Sequence, residues 1–135
     1  LNKPIKFNKQ KKFISGRFPL NILQSKTKNI IKLAGIVYII SNNKKIANKA
    51  YLEKLADKYN MPVSGIIIYN KNKIIPLIYV KKTNSLVWEN ACGSGSLAYS
   101  LFSKYSEIKQ PSGLYIEVKK TNKYFSIKSP VSIIK

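Results

Sequence analysis

The sequence is poor in the side chains on which most enzyme sites depend. It has no histidine, one cysteine, five acidic residues and only one arginine (Arg17) among its 25 basic residues. A serine–histidine or cysteine–histidine catalytic machine is therefore excluded within this chain. A single cysteine excludes an internal disulfide framework. We expect no metal site made by this chain alone, because the usual ligands are scarce.

Long hydrophobic runs are also missing. No stretch approaches the roughly 20 apolar residues that span a bilayer, and no signal peptide is recognisable. We therefore expect a cytoplasmic protein with no membrane partner. The first residue is Leu1 rather than Met, so we expect the chain to be a piece of something longer.

The composition is that of a folded domain with a basic surface. With 135 residues and 44% hydrophobic residues, the chain is large enough for one domain with a core. The net charge of +20 raises the question of a nucleic-acid partner. The lysines are dispersed, and arginine, the better reader of phosphate and guanine, is nearly absent. A nucleic-acid role is not expected, although non-specific adhesion stays open as an alternative.

The stretch from residue 85 to 102 is the most informative part of the chain. It predicts a buried strand (86–88), a tight turn (89–95) and a helix from Ser96 onward. The turn contains Cys92, followed by Gly93 and Gly95, and glycines let backbone N–H groups converge on a ligand. A helix N-terminus there favours a bound carboxylate and lowers the pKa of a thiol. The pattern suits proton abstraction beside a carboxyl group.

A simpler interpretation of the same stretch stands beside this one. A lone cysteine in a cytosolic protein is often only a small buried hydrophobic side chain. A Gly-Ser-Gly sequence after a strand is often only a turn. Residue pattern alone leaves both interpretations open.

The remaining pattern predicts an α+β fold with a mixed or antiparallel sheet. We expect a lysine-rich segment over residues 1–28, with a strand at 5–7 and otherwise loop or edge, Ser15-Gly16 forming a turn. This segment is either an N-terminal extension or a crossover from a missing preceding half, and residues 29–135 form the domain. The predicted elements that follow are a strand at 30–41, a helix at 44–60, a hairpin at 63–69 and 74–80 with Pro76 at an edge or bulge, a second helix at 96–106, and a closing hairpin at 114–118 and 124–134.

The residues Trp88-Glu89-Asn90-Ala91-Cys92-Gly93-Ser94-Gly95 resemble the second-cysteine motif of the diaminopimelate epimerase-like racemases. These are cofactor-independent amino-acid racemases with two pseudo-symmetric halves, each of which gives one cysteine to a shared site. The segments Pro76–Val80 and Ser85–Asn90 are similar to the histidine racemases of staphylopine-type metallophore pathways. The resemblance is strong over about residues 76–105 and extends more weakly over 111–134.

The resemblance implies a half-barrel wrapped around a central helix, with one further covering helix. It implies that the chain is the C-terminal half of a racemase with no cofactor, and that Cys92 is one of two acid–base groups acting on a small amino-acid substrate. It also implies substrate-binding roles beside that cysteine for Gly93, Ser94, Glu89, Asn90, Trp88 and Tyr38. For Trp88 and Tyr38 a packing role in a strand is the alternative.

Two departures from the family pattern change what we expect. The Glu-Arg pair that helps to hold diaminopimelate is replaced here by Lys81-Lys82-Thr83-Asn84, which argues for a different amino acid, with histidine as the substrate that the resemblance supports. The second cysteine is absent. We therefore expect an N-terminal half carrying it as a partner, inactivity of this chain alone, and a homodimer as a further arrangement that would cover the exposed seam. A non-catalytic amino-acid or anion-binding module is the other alternative.

Overall fold

Two helices and eleven strands make up the described part of the chain. The computed structural model describes residues 5–8 and 13–129. The strands are β1 (Ile5–Asn8), β2 (Phe13–Pro19), β3 (Leu23–Thr27), β4 (Ile30–Leu33), β5 (Ile36–Ser41), β6 (Val63–Asn70), β7 (Lys73–Val80), β8 (Ser85–Trp88), β9 (Glu107–Lys109), β10 (Tyr115–Lys120) and β11 (Tyr124–Lys128). The helices are α1 (Lys49–Tyr59) and α2 (Gly93–Ser103). This content agrees with the predicted α+β class.

All the described strands belong to one mixed sheet. Its order is β1-β2-β11-β10-β9-β7-β6-β5-β4-β3, and β8 pairs with β7 outside this path. Neighbouring strands are antiparallel except for β5 with β6 and β7 with β9, which are parallel. The parallel pair β5–β6 is joined through α1, because parallel neighbours need a crossover connection.

Helix α2 lies in the concave side of this sheet. Its residues Leu97, Ala98 and Tyr99 are buried in a core cluster, and the helix packs on β4, β5, β6, β10 and β11. Phe18 of β2 and Ile31 of β4 join the same cluster although their strands lie far apart in the strand order. The sheet must therefore curve around α2. The specific half-barrel of the epimerase family stays a prediction.

Helix α1 covers the other face of the sheet. Leu52, Leu55 and Ala56 pack into a second core cluster with residues of β5, β6 and β7. The helix starts later than predicted, because the Asn48 side chain caps it by accepting the Tyr51 N–H at 2.9 Å. Residues 44–46, predicted as its first turn, form a separate 3₁₀ turn instead.

The single strand predicted over residues 30–41 is in fact the hairpin β4–β5. The chain turns at Gly35, whose φ of +88° is readily adopted only by glycine. The turn lies inside an almost continuous apolar run, so hydrophobicity gave no sign of it. The prediction of one strand was wrong for this local reason.

The described part of the lysine-rich segment forms strands where loop was predicted. Ser15-Gly16, predicted as a turn, lies inside β2, which pairs with both β1 and β11. Strand β3 forms a hairpin with β4 at the edge of the sheet order. Of the predicted crossover, residues 1–4 and 9–12 lie outside the described residues. The domain boundary at residue 28 stays a prediction.

Strand β8 is where burial differs most from the prediction. The strand exists, but Leu86, Val87 and Trp88 are 39%, 45% and 54% exposed rather than buried. It pairs only with β7 among the described strands. Pro76, predicted at an edge or a bulge, lies in the interior strand β7, at the gap between its β8 and β9 partners. There its carbonyl accepts the Glu89 N–H at 3.0 Å.

The closing part of the chain follows the prediction with two changes. The hairpin β10–β11 is confirmed, with Thr121 in its turn, whereas the short strand β9 was not predicted. The predicted continuation of the last strand over residues 130–134 lies outside the described residues. Both described α-helices have 11 residues, and neither has the length and apolar character of a membrane span.

Candidate active site

Cys92 is the N-cap residue of α2, which begins three positions earlier than predicted. Its backbone is extended, with φ −140° and ψ 113°, and its Sγ accepts the Gly95 N–H at 3.3 Å. A Cβ at position 95 would lie 3.0 Å from both Cys92 Sγ and Ile67 Cδ1. Glycine at this position therefore lets the helix start directly beneath the thiol.

Tyr38 reaches the same point from β5. Its hydroxyl lies 2.6 Å from Ser94 Oγ and 3.5 Å from Cys92 Sγ, and the side chain is fully buried. Gly65 on β6 lies against the Tyr38 ring, and a Cβ at this position would come too close to the ring. Tyr38 is thus packed in the core, as the alternative interpretation held, and also in contact with the cysteine.

The electrostatics of the thiol differ from the sequence-based prediction. Burial raises the pKa of Cys92, and hydrogen bonds from Tyr38 and the Gly95 N–H act in the opposite direction. Burial also raises the pKa of Tyr38 well above its ordinary value. The prediction of a lowered thiol pKa is wrong, because desolvation of the thiolate outweighs the donors at the helix N-terminus.

A cleft of about 460 Å³ opens beside these residues. The predicted site residues that line it are Tyr38, Glu89, Cys92, Gly93 and Ser94. Glu89 is half-buried, and burial raises the pKa of its carboxyl group. The remaining walls are largely apolar, which is typical of a small-molecule site with a few convergent polar groups.

The start of α2 offers hydrogen-bond donors to this cleft. The N–H groups of Gly93 and Ser94 have no acceptor among the described residues. Two unpaired donors at the positive end of a helix form a site that suits a carboxylate. That Gly93 and Ser94 bind an anion stays a prediction.

Two predicted site residues do not line the cleft. Trp88 is more than half exposed on β8, and Asn90 is exposed with its carbonyl accepting the Ser112 N–H at 3.1 Å. Whether either contacts a substrate stays a prediction.

Three polar residues near the site were not predicted. Lys82 lines the cleft, and Gln110 and Ser96 form a buried hydrogen-bond pair beneath Cys92. Gln110 precedes Pro111 in a loop, so no periodicity marked it. A glutamine in a loop is usually exposed, and nothing in the sequence indicated its burial.

Within the described ranges, no group of three or more potential metal-ligating side chains occurs. The polar groups at the cleft are the thiol, hydroxyls and backbone N–H groups, together with the Glu89 carboxyl group and the Lys82 ammonium group. Such a set can bind an anionic group and exchange a proton with it.

Comparison with known proteins points to racemases. The family model described as "Histidine racemase CntK N-terminal domain" matches residues 8–134. The histidine racemase of Staphylococcus aureus (strain Mu50 / ATCC 700699) is 29% identical over 59 residues, which cover 42% of this chain and 22% of that protein. The histidine racemase of Fusobacterium nucleatum subsp. nucleatum (strain ATCC 23726 / VPI 4351) is 27% identical over 119 residues, covering 78% of this chain and 45% of that protein.

The chain thus spans less than half the length of the curated relatives that it matches. The matching family model describes an N-terminal domain, which runs against the expectation of a C-terminal half, and that expectation is not confirmed. The resemblance to racemases is confirmed. Because the family model covers almost the whole chain, the chain belongs to the histidine racemase CntK N-terminal domain family.

Proposed function

We propose that this chain forms one half of an amino-acid racemase in which Cys92 is one of two acid–base groups at the substrate α-carbon. The observation that supports this most directly is the position of the thiol. Its Sγ lies at the start of α2, within hydrogen-bond reach of Tyr38 and Gly95 and on the wall of the cleft. Acid–base catalysis requires such a group within reach of the transferred proton.

The substrate carboxylate would bind at the start of α2. The unpaired N–H groups of Gly93 and Ser94 provide two donors, and the helix dipole favours a negative charge there. Lys82 on the cleft wall adds a positive charge. Glu89, on the same wall, would accept a hydrogen bond from the substrate ammonium group.

The proton would move between the α-carbon and Cys92 Sγ. Burial raises the pKa of Cys92, which favours the protonated thiol. That form is ready to donate a proton to the α-carbon in one direction of the reaction. In the other direction the thiolate takes the α-proton, and the Tyr38 hydroxyl and Gly95 N–H stabilise its charge. Donors aimed at the carboxylate stabilise the negative charge that develops on it.

The second acid–base group would come from the other half of the racemase. Racemisation needs groups on opposite faces of the α-carbon, and this sequence has one cysteine. The matched relatives are more than twice as long as the matched segments, which leaves room for a second domain. Mixing this chain with a candidate N-terminal half and, separately, with a candidate C-terminal half tests whether it is the first or the second half of the enzyme.

Strand β8 is where we place the contact with that other half. Leu86, Val87 and Trp88 form three consecutive exposed hydrophobic residues. The next residue, Glu89, lines the cleft, so a domain packed against β8 would lie beside the cleft. A contiguous exposed apolar segment is typical of an interaction surface.

Trp88→Ala tests this contact, with Tyr115→Ala as the matched control because Tyr115 is an exposed aromatic residue on β10, which does not pair with β8. We expect Trp88→Ala to weaken association with the other half at least tenfold, measured by calorimetry. The control should leave association unchanged. Equal affinity for both variants would rule out β8 as the contact.

Histidine is the substrate that we propose, since both curated relatives are named histidine racemases. The decisive experiment is deuterium incorporation at the α-carbon of L-histidine and a panel of other amino acids in D₂O. The chain is tested alone and mixed with a candidate N-terminal or C-terminal half from a homologous racemase. The metallophore role and the cytoplasmic location stay predictions.

We expect exchange only in a mixture, with histidine preferred, and its loss in Cys92→Ser. The half that restores exchange identifies the position of this chain in the complete enzyme. Absence of exchange in both verified complexes would contradict the racemase proposal. Calorimetric binding of amino acids without exchange would instead indicate an amino-acid-binding module, and a salt-sensitive affinity for nucleic acid would support the third alternative.

A further inference from the structure

Gln110 is a buried amide beneath the candidate active site. It is 2% exposed, and its Oε1 accepts the Cys92 N–H at 2.9 Å. Its Nε2 donates to Ser96 Oγ at 2.9 Å and to the Ile108 carbonyl at 3.0 Å. Only this orientation of the amide satisfies every partner, because a backbone N–H can only donate and a carbonyl can only accept.

Ser96 binds the other backbone polar group of Cys92, its carbonyl. Its Oγ donates to the Cys92 carbonyl at 2.6 Å, and its N–H donates to the same oxygen at 3.0 Å. Both backbone polar groups of Cys92 are therefore fixed by one connected pair of buried side chains. The extended backbone conformation that results is the one that places Sγ over the Gly95 N–H.

Gln110 also ties two separate parts of the fold together at this point. It follows β9 in a loop, whereas Cys92 begins α2, 18 residues earlier. A helix can begin without such a tether, because the N-terminal groups of most helices face solvent or local side chains. A buried amide tying the N-cap residue of α2 to the β9 loop is an additional constraint on the position of the thiol.

We propose that Gln110 is a positioning residue. Together with Ser96 it fixes the backbone of Cys92, so that the Cys92 thiol accepts a hydrogen bond from the Gly95 N–H and faces the cleft. Its importance for racemisation depends on the proposed function, whereas its effect on the thiol does not. Among the described residues, the Cys92 N–H is the one cleft-lining group to which the Gln110 side chain hydrogen-bonds, so we expect it to act through Cys92.

The test is the pH dependence of alkylation of Cys92 by iodoacetamide, with no substrate present. Gln110→Met keeps the length and volume of the side chain but removes all three hydrogen bonds. We expect the midpoint of the profile to rise by half a pH unit or more, because the thiolate loses well-placed donors. Tyr38 and Glu89, the titratable groups that face the thiol, are unchanged in this variant.

Gln24→Met is the matched control, since Gln24 is exposed on β3. It should leave the midpoint unchanged. Ser96→Ala is the second variant, because it removes both the acceptor of the Gln110 amide and the hydroxyl that donates to the Cys92 carbonyl, and so breaks the pair without changing Gln110. It should shift the midpoint in the same direction, and it decides the question if Gln110→Met fails to fold.

A shift in Gln110→Met or Ser96→Ala with the fold retained, and none in the control, supports the proposal. A lower melting temperature with an unchanged midpoint in the folded variants would overturn it, since the pair would then be only structural. The outcome is separate from that of the racemase experiment. A shifted midpoint without any α-carbon exchange would leave the positioning role and remove the racemase proposal.

Discussion

Gly65→Ala is the substitution that best tests the packing around the candidate site. A Cβ at position 65 would lie 2.7 Å from Cε1 and 2.9 Å from Cδ1 of Tyr38, and 2.9 Å from Cδ1 of Ile78. Carbon atoms pack at about 3.5–4.0 Å, so one of these side chains must move. The Tyr38 ring is the closer neighbour, and its displacement would carry the hydroxyl away from Ser94 and Cys92.

The magnitude follows from two opposing terms. Overpacking a core costs about 1–3 kcal/mol, and the lower flexibility of alanine in the unfolded chain returns about 0.4–1 kcal/mol. We therefore expect a net loss of about 1.5 kcal/mol in the free energy of unfolding. With an unfolding entropy of about 2.1 cal/mol/K per residue over 135 residues, the melting temperature falls by about 5 °C.

The assay is thermal unfolding combined with the alkylation profile of Cys92. Gly113→Ala is the control, because a Cβ there meets no atom within 4 Å although its φ is +94°. It should lower stability by about 1 kcal/mol through backbone strain. Because its N–H donates to the Gln110 carbonyl at 2.9 Å, it is a control for the loss of stability only and not for the alkylation profile. In a Tyr38→Leu background, Gly65→Ala should cost clearly less than in the unchanged chain. A neutral or stabilising Gly65→Ala would refute the packing argument.

Three further predictions follow from the same structure. Tyr38→Phe removes a hydrogen bond that lowers the pKa of Cys92, so the alkylation midpoint should move to higher pH; an unchanged midpoint would show that the hydroxyl does not contact the thiol in solution. Asn48→Ala removes the cap of α1 and should lower the free energy of unfolding, measured in urea titrations, by about 1 kcal/mol. Asn43→Ala affects only the 3₁₀ turn and should lower it by less. Equal losses would contradict the assigned cap. Burial raises the pKa of Cys92 and Tyr38 in the folded chain, so at alkaline pH the folded state holds protons that the unfolded state releases. The free energy of unfolding should therefore fall as the pH rises above about 9. The fall should be smaller in the Cys92→Ser variant, and a free energy of unfolding that rises at alkaline pH would refute the prediction.

The sequence alone predicted the features that depend on local chemistry. The cysteine, the glycines and the apolar run after them predicted a helix N-terminus beside a thiol, and α2 begins there. The hairpin β6–β7 was evident from two apolar runs separated by the polar residues 70–73, and the covering helix α1 from three-to-four spacing. The motif around Cys92 was also specific enough to indicate the racemase family.

Local patterns failed where long-range pairing decides the outcome. Strand β2 forms despite its Ser15-Gly16 sequence, because β11 pairs along it. Strand β8 is apolar yet exposed, because the chain places it beside β7 with no layer above it among the described elements. Burial is a property of the assembled layers, and a short apolar run does not reveal which face is covered.

The sequence determined one part of the candidate site, and the tertiary structure determined the rest. The sequence supplied the thiol and the two backbone donors next to it, since helix N-termini expose N–H groups wherever they occur. Only the tertiary structure brought the Tyr38 hydroxyl, 54 residues away in the chain, into contact with Cys92. It also buried Gln110 beneath the cysteine, and it raised the thiol pKa by desolvation. Desolvation depends on everything that packs around the sulfur, which the neighbouring residues in sequence do not determine.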